Sequence, residues 1–341
     1  MKTNILRFTN FTLPQVIERG VMDNLVTISR NGVYGIHNWL ARWTGNHPFY
    51  CEKDTQLEEG VRAITGPFSP SSRSLCNVVR LSADGRVLFT AGLWDNSIRV
   101  GRVNQHEIIP CAVLYQHKNV ITCMELDGKY LATGGRDTTV VIWKLLKREG
   151  ECKGLKPHPS SILYGHNSEV TCVALSQELD IVISGSAEGI VLLHTLKLGT
   201  YIRTLVPHIP TDPDQGHFSV TFVGISSSGN IVVAGKLPSK NTQEGYHSVL
   251  YLYTLNGRMI KRVKLEDETS AVFLDGDRVV LGGTAGSLEI RCTDYINVKH
   301  KLRLKSGVLA ISKDPRNQHL FVTTSDGKLL IITSTAKPFK K

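Results

Sequence analysis

Seven copies of one unit predict an all-β protein, a single seven-bladed β-propeller domain over residues 1–341. The clearest copy is residues 117 to 143, HKNVITCMELDGKYLATGGRDTTVVIW. Val120 to Leu126 is apolar and partly β-branched, Asp127-Gly128 turns the chain, and Tyr130 to Thr133 is a second strand. A second turn at Gly134-Gly135-Arg136-Asp137 leads into a third strand, Thr139 to Trp143. A hairpin-connected triplet cannot bury its apolar face alone, so it needs neighbours of its own kind. Residues 165 to 196 supply the first: Thr122-Cys123 recurs as Thr171-Cys172, Thr133-Gly134 as Ser184-Gly185, and Trp143 falls on His194. Residues 78 to 103 supply another, with Gly85, Gly92 and Asp95 on Gly128, Gly134 and Asp137. Fainter copies bring the repeats to 25–43, 75–103, 117–146, 165–196, 216–257, 267–298 and 306–335.

A period of roughly forty to fifty residues with a late Trp-Asp-like third strand is the signature of WD40-type blades. A β-sandwich array would not repeat the Gly and Asp positions. Seven blades need roughly 315 residues, and the chain has 341, with 41% apolar residues. That is enough for one continuous core. No apolar run reaches the length of a membrane span, and the first twenty residues lack a signal-peptide core. The seven cysteines form no C-x-x-C pair and read as reduced thiols of a cytosolic protein.

Taken in order, Ile5 to Phe11 is the candidate to complete the last blade, whose own strands end at Leu329 to Thr333. An edge left unpaired there would invite association with other chains. Leu25 to Asn38 is a hairpin through Asn31-Gly32. Residues 39–74, 147–161 and 206–217 are expected as surface excursions, the second charged and mobile. A fourth, 237–248, splits the inner hairpin of its blade.

His117, Thr133, Asp137 and Trp143 make the complete WD40 hydrogen-bond set in one blade. A catalytic Thr/His/Asp triad is the competing arrangement, but the spacing suits a buried structural row, whose polar groups must all be paired. In 165–196, Glu188 and His194 stand where Asp137 and Trp143 do, and Gly101 replaces the Trp in 78–103. The twelve histidines show no metal-ligand spacing and no phosphate-binding glycine loop occurs. The expectation is a protein with no catalytic residues, no cofactor, no metal and no small-molecule substrate.

Trp94, Arg136 and Ala187 share one turn position, immediately before Asp95, Asp137 and Glu188, at an end of the channel. Trp94 and Arg136 are candidate partner-binding residues, since exposed Trp and Arg are frequent anchors of protein interfaces. The net charge is +10. Lys299, Lys301, Arg303 and Lys305 alternate with His300, Leu302 and Leu304, so one strand face is basic. Arg258, Lys261, Arg262 and Lys264 occupy the matching outer strand one blade earlier, and together the eight are expected to form one basic side wall. Such cations protect an edge strand from pairing, or meet an acidic partner or an anionic leaflet. Aromatic residues (7%) are not interleaved with basic runs, which argues against nucleic acid.

AGLWDNSIRV (91–100), TGGRDTTVVIW (133–143) and the I-L-x-G-H-x-x-E-V-T-C run followed by S-G-S-x-E-G and R-T-L (162–205) resemble the C-terminal propeller of BEACH-domain proteins, the neurobeachin and beige group. The resemblance covers 75 to 205 and thins after 206. It implies a piece cut from the C-terminal end of a large cytoplasmic scaffold, with Met1 an added start, because the BEACH and PH-like modules do not occur in these residues. It further implies a role in vesicle trafficking, membrane-protein sorting and lysosome-related or autophagic compartments, with peripheral membrane association through the full-length protein. The partners implied are proteins, including the scaffold's own BEACH region, bound by a propeller that is monomeric in isolation. The alternative is a propeller that binds anionic lipid or RNA through its basic wall. Phosphoinositide-reading propellers carry an Arg-Arg pair, and no such dipeptide occurs here.

Overall fold

The computed structural model describes residues 2–7, 14–19, 24–29, 34–38, 68–69, 77–104, 108–207, 218–238, 246–313 and 320–333. Its strands, numbered in chain order, are all paired antiparallel. The N-terminal region gives β1 (Lys2–Arg7) and the three-stranded sheet β2 (Pro14–Arg19), β3 (Asn24–Ser29), β4 (Tyr34–Asn38). Blade I is β5 (Val79–Leu81), β6 (Val87–Thr90), β7 (Ser97–Val103) and β8 (Ile108–Tyr115). Blade II is β9 (Ile121–Asp127), β10 (Tyr130–Gly135), β11 (Val140–Arg148), β12 (Glu151–Leu155) and β13 (Ser161–Leu163). Blade III comprises β14 (Val170–Ser176), β15 (Ile181–Ser186), β16 (Val191–Thr195) and β17 (Tyr201–Leu205). Blade IV comprises β18 (Ser219–Ile225), β19 (Ile231–Pro238), β20 (Tyr246–Tyr253) and β21 (Met259–Lys264). Blade V runs through β22 (Thr269–Asp275), β23 (Arg278–Gly283), β24 (Ser287–Cys292) and β25 (Val298–Arg303). Blade VI is β26 (Val308–Lys313), β27 (Leu320–Thr324) and β28 (Lys328–Thr333), completed by β1.

The fold is an all-β propeller, with a correction to the expected count. Seven blades are predicted, whereas the described strands make six of four or more strands and one three-stranded sheet. The difference lies at the N-terminus: β1 serves as the outer strand of blade VI, and the position where a fourth strand would follow β4 falls in residues 39–67, outside the described residues. The first strands adjoin one another in sequence from β5 through β26, and β2 adjoins both β26 and β5. They enclose a central cavity of about 770 Å³, lined by β5, β9, β14, β18, β22 and β26. The segment that closes blade VI starts earlier than expected, at Lys2, and pairs Lys2 with Thr333 through Arg7 with Lys328. Residues 8–11 of the predicted strand lie outside the described residues.

Apolar side chains of successive blades meet face to face, so the core is a series of slabs between blades. Phe89, Ile98 and Val100 of blade I pack with Met124, Leu131 and Trp143 of blade II. Ala132 and Ile142 of blade II pack with Val173 and Val182 of blade III. The same arrangement continues between blades III and IV, IV and V, and V and VI.

A repeated hydroxyl clamp holds these slabs together, and it explains why Thr122-Cys123 recurs as Thr171-Cys172. Thr122 Oγ1 on β9 donates to the Gly134 carbonyl of its own blade or to the Val170 carbonyl of the next. Thr171 reaches the Gly185 carbonyl at 3.1 Å and the Val220 carbonyl at 2.5 Å. Ser270 does the same with Gly282 and Val308, at 3.1 and 2.5 Å. The glycines are required by the close approach. A Cβ on Gly134 would stand 2.6 Å from Val170 Cγ1 and 2.7 Å from Cys123 Sγ, and one on Gly185 would meet Val220 and Cys172 alike. Burial pushes the Cys123 thiol up to about 12 and raises Cys172 as well, so both are inert thiols.

The 147–161 segment is not the mobile excursion expected. β11 continues to Arg148, turns at Glu149-Gly150 and returns as β12, while its first half pairs with β13. The extra hairpin lies on blade I: the Cys152 amide donates to Asp84 Oδ2 at 2.7 Å, Arg86 pairs with Glu151, and Cys152 and Leu155 join the apolar slab. Paired backbone and buried apolar side chains fix it there. Of the 237–248 segment, β19 and β20 extend the hairpin to Pro238 and Tyr246. The rest of it, and most of 39–74 and 206–217, lies outside the described residues.

Candidate functional site

The antiparallel order divides the propeller into two ends. Turns after the second strand of a blade emerge at one end, and turns after the first and third strands at the other.

At the first end, blade II carries the four-residue row. Trp143 Nε1 donates to Thr133 Oγ1 at 3.2 Å, and Thr133 Oγ1 lies 2.9 Å from His117 Nε2. His117 Nδ1 lies 3.0 and 3.1 Å from the two Asp137 oxygens. A carboxylate only accepts, so Nδ1 donates and Nε2 is left to accept from the Thr133 hydroxyl. The donors therefore run one way, from indole to carboxylate. Asp137 also accepts from the Lys118 amide at 2.7 Å and the Thr139 hydroxyl at 2.9 Å. Burial pushes its carboxyl up, but the bonds from His117, Lys118 and Thr139 outweigh this and hold it at about 2. His117, Thr133 and Trp143 are buried. Each member of the row is hydrogen-bonded to another, and together they hold the turn.

Other blades hold the same turn by other means. In blade I, Asp95 accepts from the Ser97 hydroxyl at 2.6 Å and from Arg99 at 2.5 Å. In blade VI, Asp326 accepts from Ser306 at 2.6 Å and Thr324 at 2.5 Å. In blade V, Asp267 comes from the incoming segment and accepts from the Ser287 hydroxyl at 2.7 Å and the Ala285 amide. Asp267 and Asp326 are not among the turn acids expected from the repeat. Asp326 follows Thr324 in a Thr-Ser-Asp-Gly turn that could have found it, whereas Asp267 stands at another position of the repeat.

The turn residues Trp94 and Arg136 have different surroundings. Trp94 is 62% exposed, whereas Trp143 is 1% exposed. Arg136 Nε donates to Glu169 of blade III at 2.7 Å, a tie between blades rather than a free cation.

On the side wall, the expectation of one eight-residue patch needs correction. β21 and β25 are the outer strands of blades IV and V. Lys261 and Arg262 are consecutive, so they point to opposite faces: Lys261 Nζ reaches Asn297 of blade V at 3.2 Å, and Arg262 stands over the Tyr251 ring. Lys301 is held by Glu266 at 2.5 Å and Glu289 at 3.1 Å. Among the described residues, Arg258, Lys264, Lys299, Arg303 and Lys305 are exposed and take part in no ion pair.

A ring of antiparallel blades with WD40-type turn chemistry, its polar row spent on structure, defines a propeller of the interaction-module class. Residues 15–341 match the family described as the neurobeachin beta propeller domain, and the chain belongs to that family. It is 25% identical to BEACH domain-containing protein lvsE of Dictyostelium discoideum, over 96% of this chain and 15% of that protein. It is 26% identical to BEACH domain-containing protein B of Arabidopsis thaliana, over 96% of this chain and 13% of that one. A putative neurobeachin homolog of Caenorhabditis elegans is 26% identical over 63% of this chain and 8% of its own length. The chain thus spans a small part of these relatives. A chain in the crystal structure of the mitotic checkpoint complex superposes with a TM-score of 0.67 at 14% identity, covering 97% of this chain and 91% of that one. That likeness is one of fold.

Proposed function

We propose that this chain is a non-catalytic protein-docking module of a longer BEACH-type scaffold that acts in vesicle trafficking and membrane-protein sorting. The blade count belongs to the same proposal: β2–β4, which adjoins β26 on one side and β5 on the other, is a seventh blade with three strands among the described residues. The observation that carries the docking role is Trp94, a large ring left in solvent at a turn whose neighbours Asp95 and Ser97 are fixed by hydrogen bonds. A rigidly mounted exposed Trp loses little entropy on binding and buries much apolar area. Arg136, spent on Glu169, contributes to the shape of that end more than to its charge.

A BEACH module from one of the relatives is a suitable partner for the test. Titration calorimetry of that module into this chain is expected to give saturable binding that Trp94→Ala weakens at least tenfold. Absence of binding would remove the scaffold's own BEACH region as the partner. Equal binding by the variant would move the docking face away from this end.

A further inference from the structure

The opposite end of blades III, IV and V carries a row of solvent-exposed apolar side chains at corresponding positions. The third and fourth strands of each blade slip register by one residue near their connecting turn, at Leu193/His194, Leu252/Tyr253 and Ile290/Arg291. Tyr201, Met259 and Val298 open the outer strands of the three blades, and the next residue, Ile202, Ile260 or Lys299, is the one the register skips. All three are exposed, as are Ile202 and Ile260, the residues that follow in blades III and IV. The turns themselves add Leu198, 78% exposed, and Tyr295, 65% exposed. Five of these seven side chains are aliphatic, and none lines the central cavity.

These turns form one continuous rim. Arg203 of blade III donates to the Asn256 carbonyl in the turn of blade IV, and Lys261 of blade IV donates to Asn297 in the turn of blade V. Beside the apolar tips stand Arg258, in the turn just ahead of Met259, and Lys299, just after Val298; Arg262, Lys264, Arg303 and Lys305 follow along the outer strands. The stretches 254–264 and 295–305 together hold eight Lys and Arg and no Asp or Glu. Edge protection needs one or two lysines and does not need exposed Met, Ile and Tyr beside them.

We propose that this rim is a membrane-contact surface, its apolar turn tips entering the interface of an anionic bilayer and its cations meeting the phosphates. Apolar tips backed by cations form the same division of labour as in an interfacial helix. Arg258 and Lys299 lie at the level of the headgroups. At about 3.3 Å per residue, Arg262 and Arg303 stand about 10 to 15 Å behind, near the limit of the Debye length. Each cation close to such a surface contributes roughly fivefold to the partition constant. Nucleic acid would favour aromatic stacking platforms, and only two of the seven tips are aromatic. The rim lies at the other end of the propeller from Trp94, so this inference does not rest on the docking proposal.

Vesicle co-sedimentation of the 341-residue chain tests it, with phosphatidylcholine alone and with phosphatidylserine added. Partition into the phosphatidylserine vesicles is expected, and little into phosphatidylcholine. The pairs Met259→Ser with Tyr295→Ser, and Arg258→Glu with Lys299→Glu, are each expected to lower partition at least tenfold. Trp94→Ala is expected to leave it unchanged. All substituted side chains are exposed, so melting midpoints should be retained, and Leu198→Ser gives an independent apolar variant in blade III. Failure of the parent chain to bind, equal binding by both pairs, or an equal loss in Trp94→Ala would overturn the proposal. So would single-stranded RNA binding that the same pairs abolish while vesicle binding persists.

Discussion

Blades II and III have the same strand register and opposite polar chemistry. Leu131 faces Trp143 across one hairpin, and Val182 faces His194 across the other. In blade II the row from Trp143 to Asp137 is fully paired. In blade III, His166 Nε2 meets Ser184 Oγ at 2.7 Å, but among the described residues its Nδ1 has no hydrogen-bond partner, and neither has Nδ1 of His194. Glu188, in the position of Asp137, uses its backbone amide on Ser168 Oγ. Both blades nevertheless bury nearly all of their second strands and the first four residues of their third. Interlocked apolar faces and the Thr122 and Thr171 clamps therefore hold the blade, and the row adds stability at one of them. Burial lowers His166 to about 4, with His194 beside it adding to the shift, and burial also lowers His194.

The largest expected difference between the blades follows from removing the ring at the shared position. Trp143→Ala empties a site that is 1% exposed and is expected to cost about 3 to 5 kcal/mol. His194→Ala removes a smaller ring with an unpaired nitrogen and is expected to cost less than half as much; denaturant titrations of the two variants compare them. Equal costs would mean that the row is not what distinguishes the blades.

Acid separates the blades next. His166 is a base with a lowered folded value, so its contribution is complete above the unfolded value of about 6.5 and is lost as pH falls toward 4. The expected slope is up to about 1.4 kcal/mol per pH unit in that window. Asp137 is an acid with a lowered folded value, so its contribution is complete above about 4 and is lost as pH falls toward 2. His166→Gln is expected to flatten the stability profile between pH 6.5 and 4 and leave the more acidic limb. Asp137→Asn is expected to do the reverse. A profile that His166→Gln leaves unchanged in the upper window would place the acid sensitivity in another group.

A smaller effect is expected at the turn acids. Asp137→Ala leaves His117 Nδ1 without its acceptor and should cost about 1 to 3 kcal/mol, whereas Glu188→Ala should fall within about 0.5 kcal/mol of the parent. Thermal melts decide between them. Smallest of all is Trp94→Ala, which removes an exposed ring and should leave the melting midpoint within that same margin while affecting docking.

Legibility followed the range of the interactions. The triplet of blade II could be read because its turns, its alternation and its four polar residues lie within 27 residues, 117 to 143, and each constrains the next locally. Asp267 could not be read as a turn acid, since it reaches across from a different position of the repeat. Residues 147–161 looked mobile because charge and glycine dominate their composition, and what orders them is Asp84 and Arg86, more than sixty residues away. The basic wall looked uniform because sequence gives the cations but not their faces. Adjacent positions on β21 send Lys261 and Arg262 opposite ways, and Glu289 and Glu266 take Lys301 out of the patch.

By itself the sequence determined the repeat, the strand pattern, the turn glycines and the polar row of one blade. These depend on φ/ψ preference and side-chain period, which act over a few residues. The tertiary structure alone decided the register in which β1 completes blade VI, from Lys2 with Thr333 to Arg7 with Lys328, the docking of β12 on blade I and the Thr122, Thr171 and Ser270 clamps. It also decided which exposed side chains gather at the rim of blades III to V. Each of these depends on groups far apart in the chain meeting across a closed ring, and only the ring's geometry fixes their distances.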